Sequence, residues 1–375
     1  MPDAKRFLVV GGVLLLLLCA IIGKLVFIQA VQHDRFAAYA QGQTRRTFEL
    51  AAMRGSILDR NGRDLALSIE KATIFADPSM IEDPLRAAKV LSPVLNIPVK
   101  TLQAKLTQPG RFVYLARKVD DAAAKQVKAA KLPGIATIKE SARLRPSAEL
   151  ATPILGKVGL DNEGLAGLEH QYESSLKGTP GSVQFDADGQ LRRIATGEAI
   201  VNPSRAGKDL VLTLDRGLQY EAERVLREQI LSTHAKGGIA LVMDTKSGDV
   251  LAMANLTTDP KTGDVNQAAR NMAVTDVYEP GSVNKLITMA GALEDGAVRA
   301  NDNYAVPDRL KVGNHVFSDH DPHATMSMSP TDIMRESSNI GSIMIAQKLG
   351  KDRLADYLTS FGFGVKPGTG FPGES

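Results

Sequence analysis

Gly238–Met243 and Val250–Ala254 are apolar runs, and Asp244-Thr245-Lys246-Ser247-Gly248-Asp249 lies between them. Turn residues flanked by β-rich runs specify an antiparallel hairpin, and the unbroken apolar character of both arms predicts a buried one. Upstream, Asp209-Leu210-Val211-Leu212-Thr213-Leu214-Asp215 alternates as a strand. Residues 216–231 then place Leu218, Ala222, Val225, Leu226 and Ile230 on one helical stripe. A helix, a hairpin and further helical segments give residues 206–375 an α+β fold, an antiparallel sheet with helices.

Moving toward the C-terminus, the chemistry-bearing stretch is Tyr278-Glu279-Pro280-Gly281-Ser282-Val283-Asn284-Lys285-Leu286-Ile287-Thr288. Pro and Gly before Ser282 fit the start of a helix, and Val283 to Leu293 reads as its buried continuation. Helical positions three apart share a face, which sets Lys285 beside the Ser282 hydroxyl. A serine hydroxyl needs a base to become a nucleophile, and a lysine with a lowered pKa can be that base. The helix N-terminus adds partial positive charge where an oxyanion develops. Ser-x-x-Lys by itself recurs by chance. A second feature, Ser337-Ser338-Asn339, lies between helical segments 329–335 and 340–349. Its hydroxyl and amide could serve a substrate, but taken by itself the tripeptide reads first as a helix N-cap, a place Ser and Asn fill readily.

His315, His320 and His323, with Asp319 and Asp321, form the densest group of potential ligands. Their spacing fits no zinc pattern, so the stretch reads as a polar loop and no metal is expected. His33, His170 and His234 are isolated and read as surface residues. No Ser-His-Asp arrangement follows from order alone.

Toward the N-terminus, residues 196–208 are rich in Gly, Pro, Ser and Arg and mark a domain boundary. Gly178-Thr179-Pro180-Gly181 and Asp188-Gly189 are turns. Residues 79–131 read as helical. Arg54-Gly55-Ser56-Ile57-Leu58-Asp59-Arg60-Asn61-Gly62 followed by Leu65-Ala66-Leu67-Ser68 reads as a β-hairpin with charged shoulders, turning at Asn-Gly. Nothing over residues 29–205 clusters groups suited to chemistry, so this part is expected to be an elongated α+β pedestal or interaction domain. Residues 29–46 read as an amphipathic helix leaving a membrane. Phe7 to Gly23 carries no charge, and Lys24 can snorkel, so residues 7–28 can just cross a bilayer as a signal anchor. Lys5 and Arg6 favour a cytoplasmic 1–6 with the rest outside. A cleaved leader would need a small-x-small site, a lipoprotein cysteine a small residue where Leu18 stands, and a soluble helix a polar face.

Composition closes off other classes. With 45 basic and 42 acidic residues the net charge is only +3, which gives no case for nucleic-acid binding. The one cysteine, Cys19, sits in the apolar run, so the part beyond it has neither a disulfide framework nor a thiolate metal site.

Taken together these motifs resemble the class B penicillin-binding proteins, whose superfamily carries Ser-x-x-Lys and Ser-x-Asn. The resemblance covers nearly the whole chain. It includes the anchor, the Arg54–Gly62 stretch, Gly164-Leu165-Ala166-Gly167-Leu168-Glu169, Leu176-Lys177-Gly178-Thr179-Pro180-Gly181, Thr213-Leu214-Asp215 with Gln219, the hairpin and Glu279-Pro280-Gly281-Ser282, all in the family's order. Gln43-Thr44-Arg45-Arg46-Thr47-Phe48-Glu49-Leu50 is most similar to the cell-division type. The resemblance implies a D,D-transpeptidase that cross-links peptidoglycan stem peptides at the septum. Ser282 would be the nucleophile, Lys285 the base and Ser337 the proton relay, with Asn339 and Ser338 contacting substrate. It implies no metal or organic cofactor and inhibition by β-lactams. It also implies a single-pass protein of the bacterial cytoplasmic membrane. Its partners would be a lipid-linked precursor and nascent glycan, a membrane-embedded glycan polymerase and other division proteins.

The family's third motif, Lys-Thr-Gly on a strand after Ser-x-Asn, is not matched. Lys366-Pro367-Gly368-Thr369-Gly370 has a proline where the strand needs an N–H, and Lys246-Ser247-Gly248 precedes the nucleophile. The chain is therefore expected to end part-way through an incomplete transpeptidase domain. The rival expectations are a non-catalytic scaffold or penicillin sensor of the same family, and a hydrolase of the same superfamily.

Overall fold

The structure, a computed structural model, describes residues 2–32, 45–186 and 200–375. The amphipathic helix expected over 29–46 lies largely outside the described residues. So do His33, Gln43, Thr44, the Asp188-Gly189 turn and the first part of the 196–208 boundary. Helix α1 (Pro2–Val26) runs into a π turn at Phe27–Val31. Its stretch Val10–Gln29 is long and apolar enough to cross a membrane, and none of it is covered by protein.

Residues 45–144 are organised by one long strand. β1 (Arg45–Leu50) and β2 (Ile57–Leu58) precede β3 (Asp64–Ala76), and β2 folds back on β3 with Ile57 opposite Ala66. α2 (Pro84–Leu95) starts where the Asp83 side chain accepts from Arg86 N–H, with Pro84 in the first turn. α3 (Val99–Leu106), β4 (Val113–Val119), α4 (Asp121–Ala129) and β5 (Ile135–Leu144) follow. β3 carries β4 along its second half and β5 on its other side. The helices close over Ile74, Leu91, Leu102, Leu106 and Leu115, all essentially without exposed surface. The strand β4 corrects the all-helical expectation for 79–131. Its Leu115 fills that core while the flanking Tyr114 faces out, an alternation of period two that the surrounding Ala and Lys obscured.

Three short helices, α5 (Thr152–Leu155), α6 (Gly167–Gln171) and α7 (Glu173–Leu176), frame the hairpin β6 (Lys157–Val158) and β7 (Gly164–Ala166). β8 (Gly181–Asp186) joins β1 to β9 (Ile200–Asn202), and β10 (Leu210–Val211) returns to pair in parallel with β2. The hairpin's charged shoulder is not on the surface. Arg54 is 2 % exposed. Its guanidinium donates to Glu169 Oε2 and Glu173 Oε2, each at 2.6 Å, and to the carbonyls of Asn162 and Glu169. Arg143 holds the other oxygen of Glu169 at 2.7 Å. Gly55 is needed beside it, because a Cβ there would meet the Lys208 carbonyl oxygen at 2.0 Å. Asp59, also buried, accepts from the N–H groups of Asn61, Arg63 and Arg216, which ties the Asn-Gly turn to the start of the next helix.

That helix, α8 (Arg216–Thr233), is capped by Asp215. Its buried face corrects the expected stripe. Leu218 and Val225 are 44 % and 52 % exposed, whereas Gln219, Glu223 and Ile230 are buried. The polar pair is buried because it is fully used. Gln219 exchanges hydrogen bonds with the Met253 backbone, and Glu223 accepts from Ala151 N–H at 2.9 Å and from Gln267. The hairpin forms as expected from β11 (Gly237–Met243) and β12 (Val250–Thr258), with β13 (Val265–Gln267) beyond. Only β12 is buried. On β11, Ile239, Leu241, Val242 and Met243 remain 39–48 % exposed, so the hairpin has an open edge rather than two covered arms.

Beyond α9 (Met272–Thr275), a 3-10 turn (Gly281–Asn284) runs into α10 (Lys285–Glu294). The strands β14 (Tyr304–Val306), β15 (Arg309–Val312), β16 (His315–Ser318) and β17 (Met326–Met328) come next. α11 (Pro330–Arg335), α12 (Asn339–Leu349) and α13 (Lys351–Ser360) follow. α10 and α12 pack through Met289, Ala292, Ile340 and Ile345. This packing brings the start of α10 against the start of α12.

Candidate active site

Gly281 takes φ +62°, the left-handed region that glycine tolerates, and the chain then enters the 3-10 turn that carries Ser282. Ser282 is exposed, and among the described residues its hydroxyl makes no side-chain hydrogen bond. Val283 and Leu286 are also exposed, so the expected buried helix begins only at Ile287. Lys285 is half-buried on the first turn of α10. Its ammonium donates to the Ser337 carbonyl at 2.5 Å, to Asn339 Oδ1 at 2.7 Å and to Ser337 Oγ at 3.2 Å. Burial pushes its pKa below the ordinary lysine value, opposed by the charge of Asp319. The structure thus gathers Lys285, Ser337 and Asn339, with Ser282 one turn before the lysine.

The junction between α11 and α12 sets the three residues of the tripeptide in different surroundings. Ser337 takes φ +53°, which turns the chain sharply. Ser338 is the N-cap of α12, and its Oγ accepts from Gly341 N–H at 2.8 Å. The same hydroxyl donates to Asp319 Oδ2 at 2.7 Å, and the residue is only 3 % exposed. The Ser338 side chain, expected among the substrate contacts, is thus engaged in capping α12 and holding Asp319. Asn339 points the other way. Its Nδ2 donates to the Ser318 carbonyl at 2.9 Å while its Oδ1 receives Lys285.

Asp319 is the residue that reading the sequence missed. It was a polar loop residue by pattern, yet its side chain is 7 % exposed. Oδ1 accepts from Asn339 N–H at 2.5 Å and Ile340 N–H at 2.9 Å, and Oδ2 accepts from Ser338 and from His323 Nε2 at 3.1 Å. Burial acts to raise its pKa, but those four donors outweigh it and hold the carboxyl below its ordinary value. His323 is raised in turn, by its bond to the Ala324 carbonyl and by Asp319. Among the described residues no group of three or more His, Cys, Asp or Glu side chains is placed to hold a metal. Little in the sequence marks Asp319, because three of its four donors, on Ser338, Asn339 and Ile340, lie about one strand and one helix further along the chain.

Family models match both halves of the molecule. Residues 238–375 match the penicillin binding protein transpeptidase domain, and residues 49–212 match the penicillin-binding protein dimerisation domain. The chain belongs to the penicillin-binding proteins. It is 32 % identical over 380 residues to the peptidoglycan D,D-transpeptidase FtsI of Escherichia coli, covering 98 % of this chain and 64 % of that protein. Identity to the penicillin-binding protein PbpB of Mycobacterium tuberculosis is also 32 %, over 389 residues, covering 97 % and 57 %. This penicillin-binding protein therefore spans somewhat less than two thirds of the length of these relatives. Among solved structures, a peptidoglycan synthetase from Bifidobacterium adolescentis superposes with a TM-score of 0.63 at 28 % identity, covering 88 % of this chain and 66 % of that one. Penicillin binding protein 3 of Mycobacterium tuberculosis, complexed with ampicillin, gives 0.60 at 26 % identity, with 88 % and 56 % covered. The α+β architecture with one apolar N-terminal helix is that of the family.

Proposed function

We propose that the protein is a septal peptidoglycan D,D-transpeptidase working through a serine acyl-enzyme. The observation that carries this reading is the convergence of Lys285, Ser337 and Asn339 one turn from Ser282. Lys285 in its neutral form takes the Ser282 proton as Oγ bonds to the carbonyl carbon of the penultimate D-alanine. The tetrahedral intermediate collapses by breaking the C–N bond, and a proton passed through Ser337 leaves with the D-alanine amine. The amine of a neighbouring stem peptide then attacks the ester, loses its proton to the same base and frees Ser282. The Ser282 backbone N–H, at the start of the helical run, supplies one oxyanion donor. Asn339 positions the donor peptide.

On this reading residues 1–6 are cytoplasmic and 7–28 anchor the chain in the bacterial cytoplasmic membrane. Residues 29–205 form an extracytoplasmic pedestal, and 206–375 belong to the transpeptidase domain. Its substrates are stem peptides on lipid-linked precursor and nascent glycan. Its partners are a membrane-embedded glycan polymerase and other division proteins, and β-lactams acylate it. The test is labelling with a fluorescent penicillin in membranes of the cells that make the protein, followed by mapping of the modified peptide. Label on Ser282, lost in Ser282→Ala, is the expected result. Absence of label from the unaltered protein would overturn the reading in favour of a non-catalytic, membrane-anchored scaffold.

A further inference from the structure

The pedestal contains polar atoms that its own fold leaves unused. A cleft of about 700 Å³ opens between the β4–β5 face and the segments around Ala52 and Lys177. Ser141, on β5, is only 5 % exposed, and its hydroxyl has no hydrogen-bond partner. Asn162 Oδ1, buried in the same cleft, also has none. Lys118 lines it too, half-buried in a left-handed backbone conformation with φ +54°. Among the described residues its ammonium makes no hydrogen bond or ion pair, and burial lowers its pKa. Buried polar atoms are nearly always satisfied, so the two orphans Ser141 Oγ and Asn162 Oδ1, beside the half-buried Lys118 ammonium, specify groups that a ligand must bring.

The remaining wall is aromatic. Phe112 stacks on Phe75 at 4.9 Å and meets Tyr114 edge-on at 4.8 Å. Arg117, held by Glu140 and Asp161, lies over the Tyr114 ring at 4.8 Å. Phe112 and Tyr114 nevertheless stay 48 % and 38 % exposed, so open ring surface faces the cleft. Four basic and three acidic residues line it, a near balance that selects a neutral ligand over an anion. The volume is that of a site for a small molecule or a few linked units.

We propose that this pedestal cleft binds a saccharide. A sugar presents hydroxyls that both donate and accept beside an apolar face of C–H groups. Hydroxyl or acetamido N–H groups would satisfy Asn162 Oδ1, sugar oxygens would receive Lys118 and Ser141, and the C–H face would rest on Phe112 and Tyr114. The choice of an N-acetylated sugar as probe rests on the proposed peptidoglycan function. The binding site itself is separate from Ser282.

The experiment is saturation-transfer NMR and calorimetry with tetra-N-acetylchitotetraose on the full chain in detergent. It is repeated on Ser141→Ala and Tyr114→Leu, with penicillin labelling of Ser282 measured on the same samples. Ser141→Ala removes a hydroxyl that has no partner in the free protein, so it is expected to fold with an unchanged or raised Tm. Binding should weaken about tenfold in each variant, with labelling unaffected. No binding by the unaltered chain, or binding undiminished in both variants, would overturn the proposal whatever Ser282 does. Binding of an uncharged peptide of matched length, with the same sensitivity to both substitutions, would overturn it in favour of a protein partner. Failure of Ser282 to label while the sugar binds as expected would sink the transpeptidase reading and leave the cleft assignment standing.

Discussion

Two cations sit at two junctions of this molecule, and they are treated in opposite ways. Arg54 is sealed between the hairpin and the α6–α7 segment, its side chain 0 % exposed, against two carboxylates and two backbone carbonyls. Lys285 is half-buried, and its direct partners are neutral: a carbonyl, an amide oxygen and a hydroxyl. The carboxylate that influences it, Asp319, is already committed to four other donors. Full pairing makes a buried charge permanent, and such a group can only hold structure. Partial burial without an anionic partner lowers the cost of losing the proton, and such a group can act as a base. The difference lies in the side chain as well as in the partners, because a guanidinium keeps its proton in any setting whereas a half-buried lysine without an anionic partner can lose it.

The sharpest way to break this comparison is to remove Lys285. Lys285→Ala should slow acylation by a penicillin by about 10³-fold, the scale of a positioned base, while Tm stays close to that of the unaltered protein. Lys285→Arg should be about as slow, because a guanidinium keeps its proton. The pH profile supplies the sign. The base acts when neutral, so the acylation rate should rise with pH and level off below the ordinary lysine pKa, since burial lowers that of Lys285. A flat profile in stopped-flow acylation would remove Lys285 from the role. Arg54→Ala should invert the outcome. It leaves Glu169 to Arg143 alone and takes the guanidinium from Glu173, so up to about 3 kcal/mol of stability should be lost in urea unfolding. Any protein that remains folded should keep its Ser282 chemistry.

Asp319 tests the boundary between the two kinds of site. Its folded-state pKa is lowered, so its contribution to stability is fully present above the ordinary carboxylate value and fades as pH falls through the folded pKa. Asp319→Asn should remove that acid limb from the stability–pH curve. It should also slow acylation by about tenfold, because the N–H groups of Asn339 and Ile340 lose the carboxylate that fixes the start of α12. A stability change without a rate change would make Asp319 purely structural.

How much was legible follows the same division. The hairpins, α8, the paired helices around Ser337–Asn339 and the pair Ser282 and Lys285 could be read because each is a local pattern of turn residues, periodicity or three-residue spacing. Arg54 could not be, since its partners Glu169 and Glu173 lie more than a hundred residues away and a buried arginine looks like a surface one in sequence. The buried face of α8 was misread for a related reason. Apolar periodicity points to Leu218 and Val225, whereas the face is chosen by Gln219 and Glu223 finding partners on Met253, Gln267 and Ala151. Exposure along β11 was likewise invisible, because an apolar run does not say how many neighbours a strand has.

The smallest expected effect separates two adjacent serines. Ser338 caps α12 and is buried, whereas Ser337 turns its hydroxyl to Lys285. Ser338→Ala removes one cap, for which losses run at about 1 kcal/mol. It also takes one of the four donors from Asp319, which adds to that loss. Tm should fall by a few degrees, and the penicillin acylation rate should change by less than about threefold. Ser337→Ala should do the reverse. Its exposed hydroxyl contributes little to stability, but on the proposed mechanism it carries the proton to the leaving amine. Turnover of a D-alanyl-D-alanine peptide should then fall further than acylation by a penicillin, whose leaving nitrogen stays tethered in the opened ring. Equal effects on Tm and on turnover in both variants would show that the tripeptide acts as one structural unit, and the division between cap and chemistry drawn here would be wrong.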